Sequence, residues 1–391
     1  MYYRFLVSTE ISMTIEKETL FMIHNKIYCL SKRLCLCFLI LMSVAPFSFA
    51  EKTYKIAFFS PYATDSFWKL SQCFMRAACN DLGFELKIYD SFANHNKMVK
   101  QFQEAIKNDK PDAVLFQNLK KNADTMIKIA ELGKVYCFLF NSGLTRKQYE
   151  QMGLPRQLFN YWLGEMLPDD ERAGYKLANI LIDKSKEKNH GIINISGISG
   201  IRSHGAAAER ENGLIRAIKG RNDVNLYRIV PGRWEKERAK QSVKQLMKKY
   251  PDTTVVWTAS DNMALGVAEG LKEMGLKAGK NVMTGGFDWG YDALKSIQKG
   301  EITASIGGHF MDGGWIMVLL YDNFNGFDFA SENIRMTSQM NAITKDNVNA
   351  YLKIVETPGW EEKIDFRKFS KRHNPNLKKY DFSLEAVLSQ F

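Results

Sequence analysis

The sequence predicts an α/β protein made of two doubly wound parallel-sheet lobes, on three observations. Residues 191–308 repeat the pattern of residues 55–140, with strand and helix alternating in both. Each copy carries the same punctuation. Lys107–Phe116 and Lys248–Trp257 both run from a Lys-rich helix end through a Pro-Asp pair into an apolar strand. The apolar runs are short and continuous, as strands buried on both faces of a parallel sheet require. Strands that alternate with helical segments imply βαβ units. Two such lobes leave a cleft between them, the usual place for a small ligand.

The elements follow in order. Strands are expected at Lys55–Ser60, Phe84–Ser91, Ala113–Asn118 and Val135–Phe140. Helices are expected between them at Ser66–Leu82, Asn96–Asn108 and Asn122–Leu132. A linking stretch, Leu144–Asp170, breaks the rhythm. The second half then places strands at Gly191–Ser196, Asn225–Val230, Thr254–Thr258, Val282–Phe287 and Ile302–Ile306. Its helices fall at Ala206–Ile218, Glu235–Tyr250, Met263–Met274, Gly290–Lys299 and Met311–Phe324.

The chain has 391 residues, 45% hydrophobic and 25% charged, which allows two domains with real cores and excludes a disordered or low-complexity protein. Lys32-Arg33, the apolar run Leu34–Val44 and the small residues Ser48 and Ala50 read as an export signal cleaved after Ala50, with translation starting at Met1 or at Met22. The apolar run is too short for a comfortable membrane span. Cys35 and Cys37 lack a lipoprotein cleavage context, so a soluble periplasmic protein is expected. The formal charge of +11 falls to +9 without residues 1–50, which carry five basic and three acidic residues. That charge is spread over helix faces, with Lys184–Lys188 as its densest run, so no nucleic-acid partner is expected. Beyond the leader, Cys73, Cys79 and Cys137 form no CxxC. They read as buried thiols, with a bridge from Cys73 or Cys79 to Cys137 left open.

In doubly wound sheets ligands sit at the carboxyl ends of strands. The residues there are Asp65, Phe67, Trp68, Asn118, Asn141, Arg210, Trp234, Asp261, Asn262, Phe287, Asp288 and His309. Arg, Asp and Asn can bond neighbouring hydroxyls in pairs. Trp and Phe cover the apolar face of a sugar ring. Each also has a plainer reading. Trp68 and Trp234 could pack in the core, Arg210 could lie on a helix surface, Asp261 and Asp288 could cap helices, and His309 could be a satisfied hinge residue. Catalytic signatures are missing: no HExxH, GxSxG or P-loop occurs. The glycine-rich turn Gly197–Gly205 reads as a flexible strand-to-helix connection whose amides face the cleft. No cofactor or metal is expected.

Four segments resemble the type I periplasmic binding proteins of the ribose-binding and LuxP-like group, over about Tyr54–Leu352. Arg210 to Gly213 is similar to the R-x-x-G helix start. Ser260–Gly266 is similar to the N-D-x-M-A-L-G turn, Gly286-Phe287-Asp288 to the G-F-D ligand aspartate, and Asp65–Trp68 to the aromatic entry of the first helix. The resemblance implies a three-segment hinge, closure on a sugar, and delivery to an inner-membrane ABC permease. There are departures. Ser260 replaces an asparagine, Asn141-Ser142 replaces the Asp-Arg pair of ribose binders, and Gly308, beside His309, takes the place of a late glutamine or arginine.

The expected division is a leader (1–50), a first lobe (51–163), a second lobe (164–308), a return to the first lobe (309–340) and a C-terminal extension (341–391) packing on the lobes. In the extension, Phe366, Phe369 and Tyr380–Phe382 suggest an aromatic strap. The function read from the sequence is binding of a sugar-like molecule by a monomer. Its alternatives are a LuxP-like sensing subunit partnered by a membrane sensor kinase, and a carbohydrate-active enzyme using Asp65 and Asp288 as paired carboxylates. Arg210→Ala is expected to leave the fold intact and weaken ligand binding.

Overall fold

Two largely parallel sheets arise because most strands are followed by a helix that returns the chain to the same end of the sheet. The computed structural model describes residues 52–62, 65–188 and 191–391, together with Met22. The expected leader and its cleavage after Ala50 lie outside the described residues. In the first lobe, β1 (Lys55–Ser60), β2 (Glu85–Asp90), β3 (Ala113–Phe116), β4 (Tyr136–Phe140) and β5 (Trp162–Pro168) alternate with α1 (Ser66–Leu82), α2 (His95–Asn108), α3 (Ala123–Gly133) and the short α4 (Arg146–Met152). The second lobe opens with α5 (Asp170–Lys186). It continues through β6 (Ile193–Ser199), α6 (Gly205–Ile218), β7 (Val224–Pro231), α7 (Lys236–Lys249), β8 (Val255–Thr258), α8 (Asp261–Glu273), β9 (Met283–Phe287), α9 (Tyr291–Lys299) and β10 (Ala304–Gly307). The chain closes with α10 (Asp312–Phe324), β11 (Arg335–Ser338), β12 (Asn341–Thr344), α11 (Val348–Val355) and α12 (Leu384–Leu388).

Among the described residues the strands form two six-stranded sheets, ordered β11-β5-β4-β3-β1-β2 and β12-β10-β9-β8-β6-β7. The duplication therefore holds strand for strand. The two edge strands differ: β11 runs parallel to β5, while β12 runs antiparallel to β10. The chain passes between sheets three times, after Pro168, after Gly307 and between Ser338 and Asn341.

Three expectations need correction. The stretch Leu144–Asp170 is not a linker, because it holds α4 and β5. Its strand was masked by the acidic and proline residues in Trp162–Pro168, although most of those positions are buried. The division at 163–164 therefore falls inside a first-lobe strand, and the second lobe begins at α5. Residues 341–344 are an edge strand of the second sheet rather than the start of an extension.

Local chemistry explains the helix ends. Asp65 caps α1, accepting from the amides of Phe67 and Trp68, and Gly83 ends it in the left-handed conformation at φ 69°. Helix α10 is buried along Asp312–Asp322, so it is apolar on nearly every face. One side meets α1, where Phe74 and Trp315 pack edge to face at 5.2 Å. The other side is covered by the C-terminal tail: Phe382 stacks on Trp315 at 5.0 Å, and Phe369 lies 4.8 Å from it.

The tail is also anchored by Asp322, which is fully buried. Its carboxylate accepts from Ser370 Oγ (2.5 Å), the amides of Lys371 (2.6 Å) and Arg372 (3.1 Å), and the Tyr380 hydroxyl (2.9 Å). Cys73, Cys79 and Cys137 are free thiols, and Cys73 is exposed rather than buried. Burial pushes the Cys79 and Cys137 thiols up, which leaves both unreactive.

Asp322→Ala strips four donors of their acceptor at once. It should destabilise the protein by about 3 kcal/mol or more, read as a lower denaturant midpoint, and should expose the tail to proteolysis before the lobes.

Candidate functional site

The strand ends of both sheets converge on a cavity of about 410 Å³ between the lobes. Ten of the twelve residues expected at a site line it: Asp65, Phe67, Trp68, Asn118, Asn141, Arg210, Trp234, Asn262, Asp288 and His309. The other two do not reach its wall. Phe287 is fully buried beneath Arg210, whose guanidinium lies 4.4 Å above its ring. Asp261 sits behind the wall, where one oxygen accepts from the Gly290 amide (2.9 Å) and Ser305 Oγ (2.8 Å). It positions the turn that carries Asp288.

Arg210 is the centre of the site and is 3% exposed. It projects from α6, which packs on α5 at backbone distance. A Cβ on Gly213 would overlap the Glu171 carbonyl, and one on Gly174 would overlap the Arg210 carbonyl. Those two glycines let Asp170, in the first turn of α5, reach Arg210 Nε at 2.6 Å. Sequence reasoning misses Asp170 because it is the last residue of the stretch Leu144–Asp170 read there as a linker. The available signal was the acidic run Asp169–Glu171 opening an apolar-periodic segment. Arg210 Nη1 donates to the Ala259 carbonyl at 2.8 Å, and Nη2 lies 3.2 Å from His309 Nε2. Asp288 Oδ1 lies 3.5 Å from both Arg210 Nη1 and His309 Nε2. A guanidinium has five N–H donors. Three are occupied and Asp288 faces a fourth on Nη1, so one on Nη2 remains for a ligand.

Proton positions follow from these partners. Arg210 can only donate, so His309 Nε2 accepts and its proton sits on Nδ1. Burial, then Arg210, holds His309 well below the ordinary histidine range, so the ring is neutral. It stacks on Phe67 at 4.6 Å, which makes it part of the aromatic wall. His204 also lines the cavity, and sequence reasoning passed over it. Its Nδ1 accepts from Trp234 Nε1 at 3.2 Å, and burial, then Lys120, pushes it down to about 4. A Cβ on Gly200 would collide with the Trp234 ring, so the glycine-rich turn serves to seat that aromatic plate.

The amides divide into two groups. Asn118 is committed to the scaffold: Nδ2 donates to the Gly143 carbonyl and to Gln148, and Oδ1 accepts from the Ala123 amide. Asn141 takes the left-handed backbone at φ 63°, which asparagine tolerates well. Among the described residues no side-chain hydrogen bond engages Asn141 or Asn262. Gln117, absent from the sequence expectations, lines the cavity with both ends of its buried amide unpartnered. Trp68 is 8% exposed and packs largely against Phe58 and Phe140, so most of its ring belongs to the core. Asp65 holds the start of α1, and burial raises its carboxyl. Among the described residues no three His, Cys, Asp or Glu side chains gather as a metal site.

The fold and this cleft define a class, and the comparisons agree. The chain belongs to the periplasmic binding protein domain family, whose model matches residues 56–324. It is 21% identical over 252 residues to the galactofuranose-binding protein YtfQ of Escherichia coli, covering 63% of this chain and 75% of that one. It is 30% identical over 138 residues to the D-allose-binding periplasmic protein of the same organism, covering 35% of this chain and 43% of that one, less than half of that relative's length. The crystal structure of a periplasmic sugar-binding protein from Pseudomonas fluorescens superposes with a TM-score of 0.77 at 31% identity, covering 86% of this chain and 99% of that one.

Burial, opposed by Arg210 and reinforced by Asp65 and Asp170, pushes the Asp288 carboxyl up to about 7. The folded protein thus keeps a proton that the unfolded chain releases near pH 4, and stability from this group falls as pH rises from about 4 to 7. Asp288→Asn should leave the ligand-free melting temperature near that of the parent at pH 4 and raise it at pH 8. The gain should be about 2 kcal/mol, half the ceiling set by the full shift, since a fifth of the side chain meets solvent. Melting curves at the two pH values check it.

Proposed function

We propose that this protein is a periplasmic binding protein that closes its two lobes on an uncharged sugar-like molecule and presents it to an ABC permease. The observation that carries the reading is the make-up of the cleft. Among the described residues its one buried cation, Arg210, is already balanced by Asp170 at 2.6 Å, with Asp288 3.5 Å away. Around it lie unengaged amides and the plates Phe67 and Trp234. Such a site offers donors and acceptors to hydroxyl groups and apolar faces to a ring, with no buried positive charge left over for an anion. The cavity is in the range of small-molecule sites and roomy for a monosaccharide. The names of the sugar-binding relatives support the same ligand class and a periplasmic location.

The reading is of a binder and not an enzyme. Asp65 is held as a helix cap, and Asp288 faces Arg210 and His309. A sensing role would use the same cleft and differ only in the membrane partner. Asn141-Ser142, in place of the Asp-Arg pair of ribose binders, is what keeps it in view.

Thermal melting of residues 51–391 with galactofuranose, arabinofuranose, allose and ribose tests the reading. Saturation at a hundred times Kd stabilises by about 2.7 kcal/mol, or about 4 °C for a unit of this size. A flat panel of sugars and polyols would sink the proposal. Gln117→Ala and Asn262→Ala should each weaken binding about five-fold or more, by calorimetry, while the ligand-free melt stays unchanged. Arg210→Ala is a poorer probe than the sequence suggested. It leaves Asp170 buried without its partner and should cost about 3–5 kcal/mol of stability.

A further inference from the structure

The last helix, α12, is placed where hinge motion must meet it. Two runs of adjacent residues mark the front and the back of the hinge. His309 lines the ligand cavity, whereas Phe310 and Met311 line a small apolar cavity on the other side of the crossing. Asp288 lines the ligand cavity, whereas Trp289 lines that same rear cavity. Leu384, Val387 and Leu388 of α12 form its outer wall.

The rear wall joins both lobes. From the second lobe come Trp289, Leu294 and Ile343, with Tyr351, Ile354 and Val355 of α11. From the first comes Leu70 of α1. Helix α12 is held to the first lobe on both flanks. Before it, Phe382 stacks on Trp315 and the Tyr380 hydroxyl bonds Asp322. After it, Gln390 accepts from the Asp365 amide, next to Phe366, whose own amide donates to Asp81 of α1. A first-lobe element is thereby seated against second-lobe side chains behind the pivot.

The lobes are close together at the front. Ser142 Oγ, in the first lobe, lies 3.4 Å from where a Cβ on Gly205, in the second, would stand. Phe67 stacks on His309 of the crossing. Rotation about the crossings that widens the front narrows the back. Where α12 meets the second lobe the space left is about 30 Å³, room for about two or three waters, and a wider cavity of about 810 Å³ opens beside it between the crossings and the tail. Packed side chains compress little, so the rotation is opposed at that contact while α12 stays in its seat.

We infer that α12 is a wedge behind the hinge: it holds the lobes toward the closed arrangement and must leave its seat for the cleft to open. The device rests on the two-lobe fold and on no particular ligand.

Small-angle scattering of residues 51–391 without any added sugar tests it. The parent should stay near the roughly 20 Å radius of gyration expected for a compact unit of this size. Leu384→Ser combined with Val387→Ser should enlarge it, with a cooperative melt retained. The same double variant should also show faster amide exchange in the crossings at 308–311 and 339–340. An unchanged radius and unchanged exchange in a cooperatively melting variant would overturn the wedge. If the double variant does not fold, Val387→Ala gives the same reading with a smaller cavity, and the same two outcomes decide. Because no ligand is used, failure here is distinct from failure of the proposed sugar binding.

Discussion

The ion pair between Arg210 and Asp170 is the constraint on which the site depends. A guanidinium at 3% exposure cannot remain without a carboxylate partner. That partner comes from a different helix. The two helices must therefore touch backbone to backbone, and Gly174 and Gly213 are the residues that allow it. Once fixed, Arg210 orders what surrounds it. Its face rests on Phe287, one arm holds the Ala259 carbonyl, the other sets the tautomer of His309, and Asp288 approaches its open side. Helix packing, a buried charge and the polarity of a cleft are one arrangement here.

Most of the fold was legible because its signals are local. The strand Lys55–Ser60 and the helix Ser66–Leu82 were placed at their observed limits, since an apolar run, an Asp cap and a Gly stop leave little choice. The fifth strand of the first lobe was lost because Glu165 and Pro168 look wrong for a buried strand. Glu165 is tolerated there because Arg335 and Tyr149 bond it, and both are distant in the chain. The duplication itself could have rescued it, since β10 occupies the matching place in the second sheet.

The site was legible as a set of positions and less so as a set of roles. Strand ends brought most of the expected residues to one cavity, yet position alone does not say which polar groups are free. Asn118 and Gln117 are adjacent. The asparagine is tied into the scaffold at both ends of its amide, and the glutamine has no partner for either end. Only three-dimensional bonding separates them. Arg210 was taken for a residue removable at the expense of ligand alone, because its buried partner lay in an element that had not been recognised.

The lone exposed cysteine among the described residues gives the molecule a practical handle. Cys79 and Cys137 are closed to reagents, while Cys73 lies open on α1 and feels Glu361 and Glu362 at the start of the tail. A fluorophore attached at that sulfur would sit beside the segment that leads toward the final helix. Its emission would follow the tail in real time, turning the native chain into an optical gauge without any engineered label site.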